Sequence, residues 1–152
     1  MCYPVAMSPV TLRRYLGNEL DAAALYKVLA LRAAVFVVEQ DCPYQDIDGR
    51  DLAPETLHIL AEEDGALIGY LRVLSEPDGT KRIGRVCSSL SARGTGMGAM
   101  LMTDAVAAIG DTESVLDAQT YAQGFYAKFG YIDDGPEFLE DGIPHIPMRR
   151  KP

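Results

Sequence analysis

The sequence has no tryptophan, only two histidines and only three cysteines. Cys2, Cys42 and Cys87 are odd in number and far apart, which argues against a disulfide-stapled scaffold and fits a reducing cytoplasm. With His58 and His145 as the whole imidazole supply, and no Cys-x-x-Cys or His-x-x-x-His spacing, a zinc site has little support and no metal is expected. Long hydrophobic runs are missing as well. The apolar stretch near the amino terminus is broken by Pro and Ser, and residues 33–38 are bounded by Arg32 and Glu39. Nothing approaches the roughly 18 apolar residues of a membrane span, so neither an anchor nor a signal peptide is expected, and the predicted location is cytoplasmic. Positive charge is also scarce: 14 basic residues stand against 22 acidic ones, a formal net charge of −8. That balance disfavours nucleic acid or an anionic membrane as the main partner and suits a cationic or neutral small substrate.

What remains is an ordinary globular composition. A chain of 152 residues fits one domain, spanning 1–152, and can bury about 68–70% of its extended surface. Local patterns give a mixed α/β order without repeats. Residues 10–15 read as a short strand, and Asn18 or Asp21 can cap a helix that carries Leu25, Val28, Leu29 and Val35 on one face to about Val38. Residues 41–54, rich in Asp and containing Pro43, Gly49 and Pro54, form a long loop; such a loop is either a solvated connection or functional. Asp64-Gly65 then joins two strands as a hairpin, and Pro77-Asp78-Gly79 turns the chain into a strand over 82–89. A helix follows to Gly110, then a strand over 115–120 and a short helix over 122–129. The tail holds Pro136, Pro144 and Pro147, so its strands are expected at edges or bulges.

The chain is organised around residues 86–102. A small-residue strand breaks at Arg93-Gly94-Thr95-Gly96-Met97-Gly98 and runs into a helix with Met97, Leu101, Ala105 and Ala108 on one stripe. The first turn of a helix has N–H groups without partners and a partial positive charge, and glycines let an anion approach them closely. Alone this pattern is weak, and an ordinary tight turn is the plain alternative. A Walker loop is excluded because no Lys closes the run. A dinucleotide fingerprint would sit in the first βα unit with an acidic residue about 20 residues on, after a second strand, whereas this loop lies past the middle of the chain and no clean counterpart follows.

Arg93, Gly96 and Gly98, spaced Arg-x-x-Gly-x-Gly, resemble the coenzyme A pyrophosphate loop of the Gcn5-related N-acetyltransferases (GNAT). Downstream, Phe125-Tyr126-Ala127-Lys128-Phe129-Gly130-Tyr131 is similar to that superfamily's Tyr-x-Lys-x-Gly-Phe/Tyr segment. Residues 31–40, 42–49 and 140–146 narrow the resemblance to the ElaA-type subfamily across nearly the whole chain. The resemblance implies an α/β GNAT fold, with a mixed central sheet of about six to seven strands splayed at the coenzyme cleft and flanked by about four helices.

It also implies acetyl-CoA as co-substrate and a primary amine, of a small molecule or a peptide, as acceptor. Coenzyme contacts are expected from Val86, Cys87 and Ser88, whose backbone would pair with pantetheine like an added strand, and from Arg93, Gly94, Thr95, Gly96, Met97, Gly98 and Ala99. An N–H near Ser88 would polarise the thioester carbonyl. Gln119 stands where many relatives carry Asn and is expected to reach pantetheine through its amide. Since the coenzyme is an anion, the cleft must be locally basic, with Arg85 and Arg93 as the expected contributors. Tyr126 is the candidate general acid for the departing thiolate; the structural alternative packs its ring with Phe125 and Phe129. An acyl-Cys87 is the competing mechanism, without a neighbouring His to support it. The general base is open among Glu39, Asp46, Asp48, His58 and His145, with His145 first because an imidazole titrates in the right range. Phe36, Glu39, Tyr44, Asp46, Asp48 and His145 are the candidate acceptor-pocket residues. Three readings stand at this point: an N-acetyltransferase with direct transfer in a ternary complex, a non-catalytic acyl-CoA sensor, and a nucleotide-phosphate binder. Assembly as a homodimer is left open.

Overall fold

The computed structural model describes residues 9–152; Cys2 and the amino-terminal apolar stretch lie outside the described residues. The first strand, β1 (Thr11–Leu16), leads into α1 (Ala22–Arg32), where the Asp21 carboxylate accepts the Ala24 N–H at 2.8 Å and so settles the cap. The helix does not continue regularly to Val38. From Ala33 to Glu39 it widens into a π-helical segment, a form associated with functional sites. A long loop then leads to β2 (Leu57–Glu63) and β3 (Ala66–Ser75), the expected hairpin, and to β4 (Lys81–Ser88). After the glycine loop come α2 (Met97–Ile109), β5 (Ser114–Gln119) and the short α3 (Gln123–Ala127). The tail adds β6 (Ile132–Asp133), β7 (Phe138–Glu140) and β8 (Ile143–Arg150).

Among the described residues the sheet has eight strands, one or two more than expected, and three α-helices instead of four. Its order is β1-β2-β3-β4-β5-β8-β6, with β7 also on β8. The extra strands arise because β8 is an inner strand despite Pro144 and Pro147, where the prolines pointed to edges or bulges. Along a strand, successive N–H groups face opposite neighbours. Pro147 accepts from the Asp134 N–H at 2.8 Å, so its missing donor faces the gap between β7, whose pairing stops at His145, and β6, whose pairing starts at Met148. Pro144 lies just past the last β5 pair, Gln119 with His145. Both prolines sit where no ladder bond is lost.

Alternation along the strands builds a core on each face. Ile59, Leu71, Val73 and Ile83 pack under α2 through Met97, Leu101, Met102, Ala105 and Ile109; Leu60, Tyr70 and Cys87 pack under Val28 and Val35. Ala108, expected on the α2 stripe, is only partly buried, and Met102 and Ile109 take that role.

Candidate active site

Two backbone irregularities open the sheet at its centre. β4 and β5 run parallel but pair only at Lys81 with Ser114 and Arg82 with Val115. Beyond Arg82 they separate. On the other side of β4, Tyr70 pairs with Cys87 and Arg72 with Gly84, so three steps on β4 oppose two on β3. The extra residue is accommodated at Arg85, which has a positive φ of 54°. A bulge of this kind twists a strand away from its neighbour and re-aims its side chains. The gap between the arms is a cavity of about 770 Å³ lined by Val86, Cys87 and Ser88 from β4, Gln119 from β5, and Tyr126 from α3.

At one end of the gap lies the glycine loop. Gly96, at φ 84°, precedes α2 in the left-handed region, and no side chain caps the helix. Its first turn thus offers N–H groups to an outside acceptor. Gly94 is also left-handed, and the Thr95 hydroxyl is committed to the Ala92 carbonyl. The Met97 side chain is buried against Gly69, so only its backbone faces the loop. Gly98 is needed for closeness: a Cβ there would stand 3.1 Å from the Phe125 ring. Gly98 and Ala99 complete the first turn.

Tyr126 brings a phenol to the cavity wall. Its ring meets Phe125 edge-on, with centroids 5.1 Å apart, and its hydroxyl makes no hydrogen bond among the described residues. Burial raises its pKa well above the ordinary value, aided by Tyr121 and Cys87, so it holds its proton firmly. Burial likewise pushes the Cys87 thiol up to about 12, which makes it a poor nucleophile. His145 also lines the cavity, and its Nδ1 lies 2.7 Å from the Ile143 carbonyl oxygen. A carbonyl only accepts, so Nδ1 carries the hydrogen and Nε2 keeps its lone pair when the ring is neutral. Phe138 stacks on the ring at 5.7 Å, and Glu140 stands 3.9 Å from Nε2, placed to balance an imidazolium.

His58 does not join the site. It is fully buried, donates from Nε2 to the Asp51 carbonyl at 2.7 Å and accepts the Tyr70 hydroxyl proton on Nδ1 at 2.6 Å. Burial lowers its pKa and keeps it neutral. Phe36, Glu39, Tyr44 and Asp48 line the cavity, whereas Asp46 lies behind it, 7% exposed.

Asp46 belongs to a closed ring of alternating charges. Arg32 Nε is 3.0 Å from Asp46 and its Nη1 is 2.6 Å from Asp51. Arg72 joins Asp51 at 2.9 Å and also pairs with Asp48. Arg85 closes the circuit, 3.5 Å from Asp48 and 2.8 Å from Asp46. The Tyr44 hydroxyl donates to Asp46 at 2.8 Å. The ring pins the long acidic loop onto β3 and β4, and the charge of Arg85 is already neutralised there. Arg93 is paired as well, with Glu39 at 2.7 Å. Arg32, Asp51 and Arg72 escaped the reading of the sequence, although a charged residue inside the apolar runs 25–38 and 67–74 was the available signal. Among the described residues no cluster of three or more His, Cys, Asp or Glu gathers in metal-binding geometry, and no helix is long and apolar enough to cross a membrane.

Comparison with known proteins places this geometry. Residues 20–152 match the family model described as an acetyltransferase (GNAT) domain. A UPF0039 protein of Mycobacterium tuberculosis is 49% identical over 143 residues, covering 91% of this chain and 92% of that protein. The crystal structure of an acyl-CoA N-acyltransferase from Pseudomonas aeruginosa superposes with a TM-score of 0.89 at 44% identity, covering 93% of this chain and 99% of that one. The crystal structure of Escherichia coli ElaA gives a TM-score of 0.89 at 40% identity, covering 94% and 100%. With a splayed sheet, a glycine loop before α2 and relatives of this closeness, the chain belongs to the GNAT acetyltransferase family, in its ElaA-type branch.

Proposed function

We propose that the protein moves an acetyl group from acetyl-CoA to a primary amine by direct attack within a ternary complex. The observation that carries this reading is the unpartnered phenol of Tyr126 on the wall of the gap between β4 and β5, with the uncapped α2 terminus at the gap's end. The fit of the coenzyme rests on this chain's own groups. The β4 backbone from Val86 to Ser88 has no β5 partner and can pair with pantetheine, with the Ser88 carbonyl first giving up its bond from Arg93, and the Gln119 amide can add a bond from the other arm. The N–H groups of Gly96 to Ala99 receive the pyrophosphate, with Arg93 adding charge. When bound, acetyl-CoA supplies the activated acyl group.

The protein's part is positioning and proton transfer. A backbone N–H near Ser88 polarises the acyl carbonyl. His145 Nε2 takes the proton of the attacking amine, with Glu140 close enough to stabilise the resulting imidazolium. Tyr126 gives its proton to the departing sulfur, a role for which its raised pKa keeps it loaded. Phe36, Tyr44 and Asp48 shape the acceptor side of the cavity. The test is thiol release from acetyl-CoA across a panel of amines, beside thermal shifts with acetyl-CoA, ATP and NAD. Acetyl-CoA stabilisation with amine-dependent thiol release is expected; stabilisation without release leaves a sensor, and stabilisation by ATP alone leaves a nucleotide binder.

A further inference from the structure

The last residue of the π-helical segment, Glu39, and the residue that follows it, Gln40, bridge the open gap. Glu39 Oε2 accepts from Arg93 Nη2 at 2.7 Å, and Gln40 Oε1 accepts from the Gln119 amide at 3.4 Å. Arg93 and Gln119 lie on opposite arms, and both are the polar side chains proposed above to hold the coenzyme. All four residues line the cavity. These two residues therefore occupy, with their own polar groups, the contacts that a coenzyme would need.

Charge bookkeeping makes Glu39 distinctive. Of the arginines lining the cavity, Arg72 and Arg85 are locked into the buried ring, and Arg50 and Arg82 pair with Glu76 and Asp117. Arg93 has Glu39 as its one carboxylate partner among the described residues, in a pair whose side chains are 38% and 37% exposed, and also donates to the Ser88 carbonyl at 3.3 Å. An exposed pair is weak and is easily exchanged for a stronger partner. A pyrophosphate brings more charge than a carboxylate and is gripped by the α2 terminus as well, so it outcompetes Glu39 for the guanidinium. The freed carboxylate stays on the cavity wall, without a cation.

We propose that Glu39 is a counter-ion exchanged between the two substrates: Arg93 holds it in the free protein, and coenzyme binding releases it to bind the ammonium group of a cationic acceptor. This rests on the acetyltransfer reading and adds to it a class of acceptor, a diamine or a lysine-like amine. The remote ammonium is held while a second, neutral amino group attacks.

The experiment is calorimetry on the full chain. Coenzyme A is titrated into wild type, Glu39→Gln, Arg93→Ala and the double variant. Glu39→Gln should bind coenzyme A about fivefold more tightly, because the competitor is gone, and that gain should vanish in the Arg93→Ala background. No gain, or an equal gain in both backgrounds, overturns the exchange by making Glu39 an ordinary background charge. The probe 1,4-diaminobutane is then titrated into each protein with and without coenzyme A. Coenzyme A should tighten diamine binding in wild type and not in Glu39→Gln; absence of that coupling in wild type, or its persistence in Glu39→Gln, overturns the acceptor half. If wild type does not bind coenzyme A at all, the acetyltransfer reading falls and this proposal with it.

Discussion

Proton position at single residues decides which chemistry the cavity supports. Tyr126 and Cys87 share a buried wall, and burial acts on both in the same direction, by disfavouring the charged form. For the phenol this keeps the proton in place until the thiolate forms beside it; for a thiol that must attack as thiolate it is a handicap. Cys87→Ala should therefore keep turnover within a fewfold of wild type, and intact-mass measurement after incubation with acetyl-CoA should find no acetyl adduct on the wild-type protein. An adduct that disappears in Cys87→Ala would replace direct transfer with a covalent route. The histidines separate by the same logic. His58 has both nitrogens committed in the core, while His145 commits Nδ1 and keeps Nε2 for the cavity.

At the scale of elements, the site depends on interruptions in regular structure: the bulge at Arg85, the glycine start of α2, and the π-helical end of α1. The glycine start was legible in the sequence because it is a chemical pattern, three glycines at alternate positions before a helix-favouring stretch. The bulge was not, since Arg85 adopts its positive φ only under the demands of β3 pairing. The π widening was equally hidden, because residues 25–38 satisfy the ordinary helical period. Gly98 couples two of these elements. Gly98→Val should obstruct approach to the first turn of α2 and also press on Phe125, the neighbour of Tyr126, since even a Cβ would come within 3.1 Å of that ring. The variant should lose about 1–3 kcal/mol of stability in urea unfolding and show no thermal shift with coenzyme A. Wild-type stability and a full coenzyme shift would contradict the packing described. Gly96→Val meets open space but must hold φ 84°, so it too carries a folding cost and is no cleaner as a probe.

Across the whole molecule, the buried charge ring fastens the acidic loop to the sheet and so fixes one side of the cavity. The loop's length and composition are legible in the sequence, and Tyr44 and Asp48 do line the cavity, but the cations that bury Asp46 and Asp51 lie far away in sequence, on α1 and β3. Burial opposes ionisation of Asp48 and Asp51, yet the arginine bonds win and hold both carboxyls below their ordinary range. Depressed folded-state values mean that this stabilisation is complete above the unfolded carboxylate value of about 3.9 and is lost as pH falls below it. Asp51→Asn, which leaves Arg32 and Arg72 short of a counter-charge, should cost about 3–5 kcal/mol in urea unfolding at pH 7 and show a shallower decline into acid than wild type. Equal stability at pH 7 would mean that the ring is incidental. The ring, the splayed strands and the glycine loop together frame a cavity with the Tyr126 phenol on its wall, and the central claim is that this phenol protonates the leaving thiolate. Tyr126→Phe keeps the ring and removes a hydroxyl that has no hydrogen-bond partner among the described residues, so folding should be unaffected. The decisive measurement is kcat for thiol release in Tyr126→Phe beside the calorimetric Kd for acetyl-CoA: the account predicts a fall of about 10²–10⁴-fold in kcat with Kd nearly constant, and a wild-type kcat would contradict it.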